Sequence, residues 1–178
     1  MTGATIIAGG LLLALLWWSL RTFGARSGWF AFLVVWLPMA WLGTVSRFVQ
    51  PRLPAAYHRL RPVERDGRLY GRLGVRLFKQ ALRRGPLAVF NPDLHLPAER
   101  TPARLARLEQ RMCDAEASHC ILLVATLAVA GHAAVRGWWT SGGLIVLFDL
   151  LLNGYPVMLQ RYNRALLHRR YPEAFTGS

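Results

Sequence analysis

The chain has 178 residues, 53% of them hydrophobic, and its 22 Lys and Arg against 9 Asp and Glu give a formal net charge of +13. Length alone permits one domain, residues 1–178, but the apolar residues crowd into four runs instead of spreading as in a soluble core. Nucleic-acid binding is a poor use for this charge, which sits beside the apolar runs where anionic headgroups attract it. The two cysteines, Cys113 and Cys120, form neither a metal-binding spacing nor a disulfide framework.

The runs cover about residues 4–20, 28–46, 119–139 and 142–160. Each is near the ~20 residues that cross a ~30 Å hydrocarbon layer. They predict an all-α integral membrane protein with about four transmembrane helices and a cytoplasmic amphipathic or interfacial segment, 47–118, between the second and third. The first run lacks a preceding basic residue and a small-x-small cleavage site, and Trp17, Trp18 and Arg21 close it, so an uncleaved anchor is expected. Of the 22 Lys and Arg, only Arg21, Arg26 and Arg136 fall on the side opposite the long segment. The positive-inside bias therefore predicts a multi-pass protein of the inner (plasma) membrane, with both termini and 47–118 cytoplasmic.

Within that segment Pro51, Pro54 and Pro62 predict an extended, non-helical exit from the second span. Asp66-Gly67 then supplies turn chemistry and is also compatible with a short hairpin. Between Arg68 and Arg84, Leu69, Leu73 and Leu77 repeat every four residues beside a stripe of Arg68, Arg72 and Arg76. The pattern predicts an Arg-rich amphipathic helix in the headgroup plane, although Gly71 and Gly74 each cost ~1 kcal/mol of helix relative to Ala. Its basic face serves either as a solvated surface or as a surface for an anionic partner. Gly85-Pro86 and Asn91-Pro92 mark a loop. Thr101-Pro102 is a helix start with a capping hydroxyl, and no breaker follows, so one long helix is expected to run into the third span.

Where that helix enters the bilayer, Glu116 and His119 stand three apart and share a face. An imidazole titrates near neutrality, and a neighbouring carboxylate fixes its tautomer, which is the arrangement of a general base. A hydrated pair at the membrane surface is the bland alternative. A di-iron site needs a second Glu-x-x-His, which the chain lacks, so no metal is expected. His132 and Arg136 read as an outer-surface pair, and His58, His95 and His168 have no informative neighbours. In the fourth run Asp149, Asn153, Pro156 and Gln160 fall within about 40° of one another on a helix. Polar side chains are expensive in hydrocarbon, so this line faces other helices or a polar cavity. Pro156 is expected to kink the helix and open space around Asn153. Arg161 and Arg164 either anchor the helix end or hold an anionic group and polarise a carbonyl oxygen. Asp149 serves as a structural partner for another polar group or as part of the site. The two polar clusters are expected to converge near the cytoplasmic face.

Glu64-Arg65-x-Gly67-x-x-Tyr70, Ala115-Glu116-x-x-His119 and Asn153-x-x-Pro156-x-x-x-Gln160-Arg161-Tyr162-Asn163-Arg164 together resemble the glycosyl-diaponeurosporenoate acyltransferases, the small membrane enzymes that finish staphyloxanthin-type carotenoids. The resemblance spans roughly residues 50–165, and departs at Leu77-Phe78-Lys79, where the family often has a Trp-Lys pair. It implies transfer of a fatty acyl group to a sugar hydroxyl of a glycosylated lipid acceptor such as a glycosyl carotenoid. The anionic donor would be an acyl-CoA or acyl-carrier thioester used as co-substrate, with no further cofactor. His119, oriented by Glu116, would take the acceptor proton, and Asn153 with Arg161 or Arg164 would stabilise the oxyanion. Glu64, Arg65, Tyr70, Asp149, Gln160, Tyr162 and Asn163 would complete substrate binding. A small membrane methyltransferase acting on a lipid or prenyl group, and a non-catalytic subunit of a lipid-synthesis complex, are the competing readings. Acceptor identity, acyl length, donor carrier and oligomeric state stay open.

Overall fold

A computed structural model describes residues 3–45, 51–84 and 99–175. Helices α1 (Gly3–Phe23), α2 (Gly28–Val45), α6 (Pro102–Val135) and the run Trp139–Arg170 are each long and apolar enough to cross a membrane. The last run comprises α7 (Trp139–Asp149), a π-helical turn (Leu150–Gly154) and α8 (Tyr155–Arg170). Between α2 and α6 lie α3 (Ala55–His58), a 3-10 turn (Pro62–Glu64), α4 (Arg68–Arg72) and α5 (Val75–Arg84). No strand occurs among the described residues, so the chain is an all-α membrane protein. Residues 85–98, with the expected Gly85-Pro86 and Asn91-Pro92 loop and His95, lie outside the described residues.

The chain divides into two compact units. One comprises residues 1–52 and 118–154 and holds α1, α2, the membrane part of α6 and α7. Its core joins Ala31 and Val35 of α2 to Ala130 of α6 and Ile145 of α7. Small residues let these helices approach: a Cβ added at Gly142 would stand 3.4 Å from the Ala130 carbonyl oxygen. Outward-facing Ile7, Leu11 and Leu13 of α1 are exposed, as apolar side chains turned toward lipid are.

The other unit comprises residues 53–117 and 155–178. Tyr70, Val75 and Leu82 pack on Leu159 and Tyr162 of α8. Leu105, Leu108 and Met112 of α6 pack on Leu167. Thr101 starts α6 as its spacing predicts, with its hydroxyl accepting the Arg104 N–H at 3.4 Å. The helix closes at residue 135, four residues before the expected end of the third span, where the N–H groups of Gly137 and Trp138 bond back to Ala134 and Ala133.

Three expectations change here. The exit after the second span contains the one-turn α3, for which Pro54 supplies an extended N-cap with ψ 144°. The amphipathic helix is broken in two, because Gly74 takes φ +78° and ends α4. Its buried face is Tyr70, Val75 and Leu82, whereas Leu77 of the predicted leucine stripe is 71% exposed. A four-residue repeat cannot continue across a left-handed residue, so the faces before and after Gly74 are set separately. Finally, the disturbance ahead of Pro156 is the wider π turn rather than a simple kink. Proline has no N–H to return to the preceding turn, and the extra residue gives its ring room.

Candidate active site

Two polar clusters hold most of the residues singled out above, one in each unit. In the unit of residues 53–117 and 155–178, Arg161 and Arg164 stand one turn apart on α8 and present two guanidiniums on one face. Arg161 Nε donates to Glu116 Oε1 at 2.8 Å, and its Nη1 donates to both oxygens of Glu64 at 2.9 and 3.1 Å. Its Nη2 donates to the Tyr57 carbonyl at 2.5 Å, and the guanidinium lies over the Tyr57 ring. Arg164 Nη1 donates to Glu116 Oε2 at 2.8 Å and its Nη2 to the His58 carbonyl. Glu116 is fully buried, so a lone carboxylate there would be very costly, and two permanent cations remove that cost. Glu64 also accepts from the Arg61 N–H at 2.7 Å and the Tyr70 hydroxyl at 2.5 Å.

These contacts set the titration of the groups outside the spans. Burial alone would raise the Glu64 carboxyl, but hydrogen bonds from Tyr70, the Arg61 backbone and Arg161 outweigh it and hold the group below its usual range. Burial, with the bond to Glu64 and its negative charge, pushes the Tyr70 phenol up. Gly67, at φ +71°, starts α4 where a Cβ would come within 3.2 Å of the Tyr162 ring. The expected turn at Asp66-Gly67 is present, closed by the Gly67 N–H on the Glu64 carbonyl at 3.0 Å, and it leads into α4 instead of a hairpin, with Asp66 Oδ1 accepting the Arg68 N–H at 2.9 Å.

The second cluster belongs to the unit of residues 1–52 and 118–154. Asp149 ends α7 and Asn153 lies in the π turn, and both are fully buried. Asn153 Nδ2 donates to Asp149 Oδ1 at 2.7 Å, and Asn153 Oδ1 lies 3.0 Å from His119 Nδ1. With its NH₂ given to Asp149 Oδ1, the amide turns its oxygen toward the ring. The oxygen only accepts, which places the ring proton on Nδ1 and leaves the Nε2 lone pair free. Asp149 Oδ2 is buried with no hydrogen-bond partner among the described residues.

This geometry corrects several expected partnerships. The group bonded to His119 Nδ1 is Asn153, not Glu116: both Glu116 oxygens are drawn to guanidiniums, which a neutral imidazole cannot displace. Arg161 and Arg164, expected to meet an oxyanion or anionic substrate, are already engaged by carboxylates and backbone carbonyls. Tyr162, expected among the substrate-binding residues, packs in the core with Tyr70, Val75, Leu82 and Leu159. Asn163 Oδ1 accepts from Lys79 Nζ at 2.6 Å. Gln160 is half-buried without a side-chain hydrogen bond to a described residue, and Arg65 is exposed. His58, read above as lacking neighbours, brings Nδ1 to 3.4 Å from Glu116 Oε2, and His168 Nε2 lies 2.5 Å from Glu109 Oε1. Sequence reasoning left Lys79, the partner of Asn163, outside the candidate site. Its signal was a charge on the apolar face of α5, four residues after Val75 and three before Leu82. No group of three or more His, Cys, Asp or Glu suited to a metal occurs among the described residues.

A family model described as glycosyl-4,4'-diaponeurosporenoate acyltransferase matches residues 54–171 of the chain. No curated protein and no solved structure matches it.

Proposed function

Because the chain belongs to the glycosyl-4,4'-diaponeurosporenoate acyltransferase family, and is thus an acyltransferase of carotenoid synthesis built on membrane-spanning helices, we propose that it carries a fatty acyl group from a thioester donor to a sugar hydroxyl of a glycosylated carotenoid. The acceptor's polyene dissolves only in the bilayer, which suits a catalyst built on spans. The donor is an acyl-CoA or an acyl-carrier thioester, and no further cofactor takes part. The basic segment between α2 and α6 and both chain ends face the cytoplasm of the inner membrane, on the strength of the charge bias.

The observation that carries this reading is the line Asp149–Asn153–His119, which leaves Nε2 of His119 as a proton acceptor. Nε2 takes the proton of the sugar hydroxyl as that oxygen attacks the thioester carbonyl carbon. The new C–O bond forms, the C–S bond breaks, and the thiolate leaves with the proton that His119 returns. Asn153 holds the tautomer and Asp149 holds Asn153, so they position the base without touching substrate. Arg161, Arg164, Glu64 and Glu116 brace their own unit.

The test is reconstitution of the purified chain in nanodiscs with an acyl-CoA and a glycosyl carotenoid, with the product ester read by mass spectrometry. Ester should form with the wild type and fall to trace levels in His119→Ala. Undiminished ester from His119→Ala removes the base, and no ester from the wild type with either donor class removes the reaction.

A further inference from the structure

Lys79 differs from every other half-buried or buried cation described above. It rises from α5 toward α8, where Nζ donates to Asn163 Oδ1 at 2.6 Å and lies 5.6 Å from the centre of the Tyr162 ring. An ammonium carries three donors, and Asn163 accepts only one. No carboxylate stands within ion-pair distance of Lys79 among the described residues. Arg161 and Arg164 each face a glutamate, whereas Lys79 faces a neutral amide and an aromatic ring. Its nearest charged influence is repulsive: burial first, and then Arg83 one turn along α5, hold the ammonium below its ordinary range. Arg72, Arg76 and Arg83 add exposed positive charge on the neighbouring surface.

A half-buried cation with spare donors and no counter-ion is a place where an anion is stabilised on arrival. We propose that Lys79, set by Asn163 and Tyr162, seats a phosphate group of the thioester donor. The proposal rests on the acyl-transfer reading only for the identity of the ligand. A fatty acyl chain is neutral, so the charge a donor offers lies on its carrier arm. Acyl-CoA and acyl-carrier protein both present the thioester on a phosphate-bearing pantetheine arm, so one seat serves either donor. Asn163 is a positioning residue here; an aspartate at 163 would supply Lys79 with an internal counter-ion and compete with the phosphate.

The experiment uses the full chain in nanodiscs of uncharged lipid and compares an acyl-CoA with the matching acyl-pantetheine, which keeps the thioester but has no phosphate. Lys79→Gln and Asn163→Asp should each raise KM for acyl-CoA about 10- to 100-fold, the range for losing a hydrogen bond to a charged group. KM for acyl-pantetheine and the kcat on it should stay within twofold of wild type in both variants. Equal weakening toward both donors assigns Lys79 a merely structural role and overturns the proposal. Unchanged KM for acyl-CoA overturns it as well. Binding of free CoA by calorimetry is read alongside, because it needs no turnover. Lys79-dependent CoA binding without any acyl transfer would keep the phosphate seat while removing the proposed reaction. Loss of co-sedimentation with phosphatidylglycerol vesicles in Lys79→Gln, with CoA binding intact, would give the seat to a lipid headgroup and overturn the donor assignment. Thermal unfolding of both variants in detergent, expected within a few degrees of wild type, shows that the protein tested is folded.

Discussion

In the unit that carries Glu64 and Glu116, two carboxylates meet the guanidiniums of Arg161 and Arg164, and the carbonyls of Tyr57 and His58 take further hydrogens. In the unit that carries His119, a fully buried carboxyl group meets only an amide, and one of its oxygens has no hydrogen-bond partner, among the described residues. The first cluster is neutral within itself, and its parts hold one another. The second directs polarity along a line toward one open nitrogen. Compensated charge braces a fold, whereas a line ending on a free lone pair is suited to accept a proton, the role proposed for His119. Both draw on residues that looked alike in sequence, since Arg164 and Asn153 belong to the same polar run.

The contrast is best broken by removing the end of the line. His119→Ala should lower acyl transfer about 10²–10⁴-fold, the usual scale of general-base assistance, with unchanged membrane insertion and unfolding temperature. Glu116→Gln should do the reverse. It leaves the buried Arg164 guanidinium without its closest carboxylate, while Arg161 keeps Glu64, and should cost about 3–5 kcal/mol of stability, measured by denaturant unfolding in mild detergent. Adding Arg164→Met should restore part of that loss, because charge balance returns; a double variant as unstable as the single one would argue against balance as the reason. Asp149→Asn should leave the fold near wild type but lower turnover about 10- to 100-fold, as loss of a group that orients a functional ligand does. The two amides at 149 and 153 can then pair either way round, so the imidazole tautomer is no longer specified.

The smallest effect sharpens the braced side. Tyr70→Phe should cost about 1–2 kcal/mol, since Glu64 keeps its bonds from Arg61 and Arg161. Glu64 is held below its ordinary value of 4.5, so its contribution to stability is complete above that pH and is lost as pH falls through its lower folded value. Tyr70 is held above its ordinary 10.0, so its contribution is complete below that pH and is lost as pH rises beyond it. Urea midpoints measured across these two windows should show a loss at each edge, and Tyr70→Phe should remove the alkaline one.

Much of the architecture was legible because a bilayer imposes a length on any apolar run. The long helix from Thr101 through His119 followed from a cap, a proline in the first turn and no later breaker. The line Asp149–Asn153 followed from helical spacing, because a one-turn offset survives a local change of winding. The face of α5 was misread because Gly74 resets the helix and uncouples Leu69 from Leu77. Lys79 was passed over because nothing local indicates that Asn163, 84 residues away, accepts from it.

Composition and periodicity by themselves determined that this is a four-span helical membrane protein with titratable groups at the ends of two spans, since burial in hydrocarbon leaves few other arrangements. Only the tertiary structure decided which groups are partners. Glu116 went to the arginines and His119 to Asn153, because paired buried charges and a directed amide are far more favourable than a carboxylate left to a neutral ring. Spacing along one helix brings both options within reach, and the choice between them is made by what the facing helices present.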